Sequence, residues 1–393
     1  MSSNWQDIID SATETRKALH QSPELSWQET QTASLIREKL NQLDIPWQSY
    51  AQTGTLACIN PSAKGNGHPH IALRGDIDAL PISEKTDKAW QSKTDGCMHA
   101  CGHDGHTATL LATAEWLKLN EAEIPGAVSL VFQPAEEGGH GAREMLKDGA
   151  LKEVDYIYGW HNWPAIPFGQ LLCPDDIVMC GNGTFEVIIT GKGGHASQPE
   201  LCADPVLAAS AINLALQQII SRKLAPQQAA VVSVTSIQAE SGLTVIPQQA
   251  KLSGCIRVPN QETADTINQL IEQISHDTAK AYGTECQVNI YPRYSATINH
   301  KTHAQRVREE WQNLYGKDSL AQNVNVPIMA SEDFSYYLNA IPGAFALIGA
   351  DDGENHDAPC HSPNYDFNDK LIALVTQLFS RIVGAPVPNL TKS

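Results

Sequence analysis

Between His70 and Asn162 three short apolar runs, "HIALRGDIDAL", "AVSLVFQPAEE" and "VDYIYGWHN", are separated by two segments with apolar residues at helical spacing, "HTATLLATAEWLKLN" and "GAREMLKDGAL". No other feature restricts the fold as much. Such runs fit strands buried on both faces, and strands joined through helices pair in parallel, because a parallel connection has to cross the sheet. Helical pattern precedes them in "WQDIIDSATETRKALHQ" and "SWQETQTASLIREKLNQLD", and helix and strand resume late in the chain with "THAQRVREEWQNLYG", "SEDFSYYLNAI", "AFALIGA" and "NDKLIALVTQLFSRIV". From about Asn182 the rhythm changes. "TFEVIITGKG", "DPVLAASAINLALQQII", "AAVVSVTSIQ", "QAKLSGCIRV", "QETADTINQLIEQISHDTAKAYG" and "ECQVNIYP" read as β-α-β-β-α-β, the split pattern of a ferredoxin-like sandwich. The sequence thus predicts an α/β fold: a domain with a mostly parallel sheet over residues 1–180 and 293–393, interrupted by a ferredoxin-like α+β domain over residues 181–292. A chain of 393 residues is long enough for two or three domains.

The formal net charge of -17 speaks against nucleic acid or an anionic membrane as a partner, since both select basic surfaces. The N-terminus has no basic start followed by an apolar core, and no run approaches the roughly eighteen apolar residues of a membrane span, so a cytoplasmic location is expected. Nine cysteines scattered over this length do not form a disulfide framework. Cys58, Cys173, Cys180 and Cys255 read as small buried residues. Cys101 is set apart by its neighbours.

It stands in "MHACGHDGH", ahead of a predicted helix. Asp76 and Asp78 fall at the end of one predicted strand, Glu136 and Glu137 past another, His161 past a third, and His361 on the loop after "AFALIGA". Open α/β sheets bind ligands outside the carboxyl ends of their strands, so these segments are expected to converge. Thiolate, imidazole and carboxylate are ligand types for transition metals, and Cys101, His103, Glu137, His161 and His361 offer donors for two divalent ions sharing an activated water. In the tandem pair Glu137 is read as a ligand and Glu136 as the general base. Asp78, with Asp76 nearby, is read as the carboxylate that orients a ligating imidazole. His99, His106 and His140 exceed what a simple site needs and are read as supporting or helix-capping residues.

Each feature alone has a plainer reading. Cys101-x-His103 can be incidental, "EEGG" a solvated turn, His161 a satisfied core histidine and His361 a helix cap. Two other functions also use part of the pattern. A cysteine hydrolase would employ Cys101 as nucleophile with His103 or His106 as base, but no oxyanion partner is apparent. A non-catalytic metal-binding or thiol-sensing protein would leave Glu136 without a use.

The motifs "RGDIDALP", "MHACGHDGH", "FQPAEEGGHGAREMLKDGAL", "GWHN", "GKGGHAS", "VIPQQAKLSGCIR", "SEDFSYY" and "CHSPNYDFND" occur in this order and span nearly the whole chain. In them the sequence resembles the M20 metallopeptidases, and among these the amidohydrolase branch that includes hippurate hydrolases, auxin-conjugate hydrolases and N-acetyl-diaminopimelate deacetylases. The resemblance implies a dimetal catalytic domain with an inserted lid. It assigns Cys101, His103, Glu137, His161 and His361 to the metals, Glu136 to the general base and Asp78 to the orienting aspartate, while Asp76 stands where other M20 branches place a ligating histidine. The implied reaction is metal-dependent hydrolysis of an N-acyl amino acid, N-acetyl foremost, with N-acetyl-diaminobutyrate, N-acetyl-diaminopimelate and hippurate among the possible substrates. The metals of such enzymes are commonly manganese or zinc; the soft Cys101 favours zinc and the resemblance manganese, so the choice stays open. His195 in "GKGGHAS" matches a lid histidine that reaches the substrate on closure, in many members from the neighbouring subunit, which implies a homodimer or higher homo-oligomer through the lid. Two departures touch the lid: "HASQPE" ends in Glu200 where a histidine is usual, and Thr244 replaces the usual asparagine before Val-Ile-Pro.

Overall fold

The computed structural model describes residues 4–388. They form two compact units, one made of residues up to Val178, Ile298–Val326 and the residues from Asp333 onward, the other of Met179–Thr297 and Pro327–Glu332.

The first unit is built on a seven-stranded sheet. Its four central strands, Val128–Gln133, Ile71–Asp76, Tyr156–Pro167 and Gly343–Asp351, run parallel in that spatial order. Trp47–Tyr50 and Gly54–Ile59 add an antiparallel hairpin at one edge, and Leu171–Leu172 pairs antiparallel at the other. Every residue of Ile71–Asp76 and Val128–Gln133 is buried, which is why these strands read as unbroken apolar runs rather than alternating ones. Helix His103–Leu119 packs on the sheet and between helices Trp5–Gln21 and Lys370–Val383, so it too is apolar on most sides.

The parallel strands end unequally, and this makes room for a site. Ile71–Asp76 pairs with its neighbour only as far as Tyr158, whereas that neighbour continues alongside Gly343–Asp351 to Pro167. His161 therefore lies within a strand, not past one, beyond the last residue paired with the strand on one side and level with the end of that strand at Asp76.

In the second unit Gly181–Thr190, Val231–Gln238, Gln249–Val258 and Glu285–Pro292 form an antiparallel sheet in which the first strand of the unit lies between the third and the fourth. Helices Pro205–Leu216 and Gln261–Ala281 pack on it, burying Ile212, Leu216, Ile267 and Ile271 against Phe185, Val187 and Leu252. Among the described residues no helix is long and apolar enough to cross a membrane.

Candidate metal centre

Cys101, His103, Glu136, Glu137, His161 and His361 come together in the first unit. Two trios of donor atoms, Cys101–His103–His161 and Cys101–Glu137–His361, each have all members within 4.8 Å of one another, and Cys101 belongs to both. Cys101 Sγ is 3.3 Å from His161 Nε2 and 3.4 Å from His361 Nε2, and His361 Nε2 is 3.2 Å from Glu137 Oε1. Sulfur and nitrogen ligands of one tetrahedral ion sit about 3.5 Å apart, so this spacing fits a shared cation.

Tautomers support the same fit. His103 Nδ1 donates to the carbonyl of Asp78 at 2.9 Å, and His161 Nδ1 donates to the carbonyl of Asn162 at 2.6 Å. With Nδ1 carrying the proton of the neutral ring, Nε2 is the nitrogen left to present a lone pair to the cluster, the arrangement usual for a ligating histidine. His103 Nε2 is buried and has no hydrogen-bond partner among the described residues, although Asp76 Oδ2 lies 3.4 Å away. Charge balance points the same way: burial works to lower the His103 pKa, yet Asp76, Asp78 and Glu137 push it up to about 10. The Cys101 thiol is pushed well up by a hydrogen bond with Cys360, by burial and by the nearby glutamates. The cluster thus retains protons that a cation can displace.

Asp78 organises the centre. Its Oδ1 accepts from the backbone N–H of Glu136 and its Oδ2 from that of Glu137, both at 3.0 Å, while the Ser26 hydroxyl donates to Oδ2 at 2.6 Å and His103 Nδ1 lies 3.3 Å from Oδ1. Burial opposes ionisation, but His103 and these donors hold the carboxyl below its ordinary range. The segment it anchors is bent sharply, with Ala135 at φ 53°. Glu29 secures that bend, accepting from the Ala135 N–H at 2.9 Å and from Thr53 Oγ at 2.7 Å. His361 is likewise left-handed, at φ 68°, and its N–H donates to the carbonyl of Ala100 at 2.7 Å. Non-glycine residues hold such conformations where the surroundings impose them, often at functional sites.

The remaining histidines divide. His106 Nδ1 donates to Asp76 Oδ1 at 2.6 Å, and the side chain and backbone N–H of Asn162 approach its Nε2 at 2.7 and 3.3 Å. Gly102 begins this helix at φ 92°, where a Cβ would overlap the Asn162 amide and the Tyr365 hydroxyl. His140 precedes helix Gly141–Lys147, its ring 3.0 Å from the Tyr336 hydroxyl. His99 is buried, and neither of its ring nitrogens has a hydrogen-bond partner among the described residues. Sequence reasoning missed Ser26, Glu29, Asn162 and Cys360, whose residue types carry no metal or catalytic spacing of their own.

His195 belongs to the second unit, exposed, in the short strand Gly194–His195 opposite Val245–Ile246. The Ser197 N–H donates to its Nδ1 at 3.1 Å, so in the neutral ring the proton is on Nε2. The Ala196 N–H donates to the carbonyl of Thr244 at 2.9 Å, which sets one of the two unusual lid residues beside the loop carrying the other.

The model of peptidase family M20/M25/M40 matches residues 72–385. The chain is 37% identical over 372 residues to an IAA-amino acid hydrolase ILR1-like 2 of Arabidopsis thaliana, covering 93% of this chain and 83% of that protein. It is 36% identical over 377 residues to an N-acetylcysteine deacetylase of Bacillus subtilis, covering 93% and 94%. The crystal structure of a Bacillus subtilis protein described as a dinuclear metal binding peptidase from the M20 family superposes with a TM-score of 0.82 at 32% identity, covering 96% of this chain and 98% of that one. With the family model matching most of its length, this chain belongs to peptidase family M20/M25/M40 and is an amidohydrolase.

Proposed function

We propose that this chain hydrolyses the amide bond of a small N-acyl amino acid, N-acetyl foremost, using two divalent ions, and releases a carboxylate and a free amino acid. The observation that carries the reading is the pair of donor trios meeting at Cys101 beside a separate carboxylate, that of Glu136. Cys101, His103 and His161 would hold one ion and Cys101, Glu137 and His361 the other; manganese and zinc both suit imidazole and carboxylate, and the thiolate favours zinc. When bound, the ions supply an activated water and polarise the acyl carbonyl.

The chain's own groups do the rest. Glu136 takes the proton that the attacking water gives up and returns one to the departing nitrogen. Asp78 fixes the His103 tautomer and holds the two glutamates by their backbone N–H groups, so adjacent residues face different tasks. His195, with its proton on Nε2, is suited to donate to the oxygen that gains charge as the carbonyl is attacked. Residues 181–292 act as lid and dimerisation domain; the exposed Leu201, Val206, Leu207 and Leu214 of the inserted unit favour a second copy of this chain as their cover. The protein works in the cytoplasm, without nucleic acid or membrane as partner.

Two alternatives fare worse. A cysteine-nucleophile hydrolase needs an accessible thiol that ionises readily, and Cys101 is buried with its pKa raised. A non-catalytic metal-binding or thiol-sensing protein would have no use for a sixth donor residue such as Glu136.

The test is a panel of N-acetyl, N-benzoyl and indole-acetyl amino acids assayed for released amine, with Glu136→Gln and Glu137→Gln run alongside. Glu136→Gln is expected to keep two ions and lose about 10² or more in turnover, and Glu137→Gln to lose metal. An active Glu136→Gln protein, or hydrolysis that survives complete removal of metal, defeats the reading.

A further inference from the structure

Arg74 is fully buried, and its guanidinium ties Asp76 of its own strand to Asp333, remote in sequence. Nη1 donates to Asp76 Oδ2 at 2.7 Å, Nη2 to Asp333 Oδ1 at 3.2 Å, and Nε to Gln133 Oε1 at 2.8 Å. On one side Asp76 accepts from His106 and lies 3.4 Å from His103 Nε2. On the other, Asp333 also accepts from Gln133 Nε2 at 2.9 Å and from the Ala142 N–H at 3.0 Å, and its own backbone N–H donates to Glu136 Oε1 at 3.3 Å. The Phe334 ring lies 5.8 Å from the guanidinium carbon. A buried arginine together with its two carboxylates adds little to stability over an apolar set of the same shape, because desolvation offsets most of the attraction, although removing the arginine alone takes that countercharge from both carboxylates. Its fork does fix the separation of whatever the carboxylates hold.

We infer that Arg74 is a positioning residue for the reaction, setting the distance between the His103 wall and the Glu136 carboxylate through Asp76 and Asp333. The inference rests on the reading of Glu136 as general base. Asp333 supplies the contact with Glu136 through its main chain, so its side chain serves to anchor that main chain, with Arg74 and Gln133 as the anchors. Lysine would keep the positive charge but could not reach Asp76, Asp333 and Gln133 together from fixed directions.

The experiment uses the full chain carrying its metals and a substrate that the wild type hydrolyses. Arg74→Met and Arg74→Lys are compared with wild type and Glu136→Gln for kcat, KM and metal content, and the peptides spanning residues 133–142 and 331–336 are followed by amide hydrogen exchange in the metal-free proteins. Arg74→Met is expected to lose about 10- to 100-fold in kcat, the scale of a displaced catalytic group, with KM within about twofold, both ions retained and faster exchange in the two peptides; Arg74→Lys should recover part of the loss. Should Arg74→Met not fold, Gln133→Leu, which leaves the three charges in place, is expected to show the same split between kcat and KM on a smaller scale. If Glu136→Gln is inactive while Arg74→Met, or Gln133→Leu in its place, keeps wild-type kcat, the positioning role is overturned and the general base stands. If Glu136→Gln is itself active, the underlying reading fails and the inference with it. A loss carried by KM or by metal content, with unchanged exchange, also overturns it.

Discussion

Replacing Asp78 by asparagine should separate metal binding from catalysis in a direction that the geometry decides. The substitution removes the charge and turns one oxygen into an NH2 group. Oδ1 accepts from the Glu136 N–H, and Oδ2 from the Glu137 N–H and the Ser26 hydroxyl. A hydroxyl can rotate and accept; a backbone N–H cannot. The amide therefore settles with its NH2 group toward Ser26, Glu136 keeps its acceptor, and the Glu137 N–H is left facing a donor. A buried N–H without a partner costs about 1–3 kcal/mol, and the loss of charge weakens the remaining bonds by a comparable amount. Of this total, on the order of 2 to 3 kcal/mol falls on the placement of Glu137, which corresponds to metal affinity lower by about 30- to 150-fold. The assay is chelator competition for the metal constants, followed by kcat at saturating metal. The expected result is weak binding with most of the turnover restored at high metal concentration. Unchanged metal affinity combined with a turnover loss as large as that of Glu136→Gln would refute the argument, because Asp78 would then be serving the base rather than the ligand.

Prolonged dialysis against a chelator should abolish amide hydrolysis, and manganese or zinc should restore it; acylation of Cys101 by substrate in the metal-free protein would instead install the thiol mechanism. His195→Ala should lower turnover by roughly 10² to 10³, the scale of a lost oxyanion donor, with metal content unchanged. Mixing it with Glu136→Gln under subunit exchange should return activity only if the histidine serves a neighbouring subunit, and full activity in His195→Ala alone makes the residue idle. His20 gives a test of stability against pH: burial works to lower its pKa, but Asp104 and Glu84 push it up to about 9 from an ordinary 6.5. Its contribution, on the order of 3 kcal/mol, is fully present below pH 6.5 and lost as the pH rises through about 9. Denaturant midpoints of the metal-free protein should fall across that interval in wild type and fall less steeply in His20→Gln, where His103, held up to about 10, still titrates; equal slopes would remove the assignment.

The fold was legible wherever one physical pattern dominated. Ile71–Asp76 and Val128–Gln133 read as strands because burial on both faces leaves them no polar alternation, and the β-α-β-β-α-β order reappears as an antiparallel sheet covered by two helices. The hairpin Trp47–Tyr50 and Gly54–Ile59 was not legible: Ala51 and Gln52 make its turn at positive φ without the Gly or Asn that signals one, and the Ala51 N–H donates to Asp148, remote in sequence, at 2.6 Å. Sequence pattern sets His161 past its strand because the unequal length of two neighbouring strands leaves no mark in either. Residue type and spacing picked out Cys101, His103, Glu136, Glu137, His161 and His361, and the structure brings all six into one centre. What sequence could not supply was the scaffolding. Glu29, Arg74 and Asp333 look like ordinary charged residues until the fold sets them against Ala135, Asp76 and Glu136.

That both donor trios draw on the same sulfur means that, in the proposed reading, the two ions are not independent guests. The Cys101 thiol, which Cys360 and burial keep protonated, would have to give up its proton only once, and the thiolate would then serve both positions. Loading should then be cooperative, with the half-filled protein scarce in a metal titration, and acidification should release the ions as a pair. Affinity is concentrated in one atom: a reagent that captures Cys101 empties both positions at once, and a single substitution at residue 101 is expected to cost the chain its whole metal content rather than half of it.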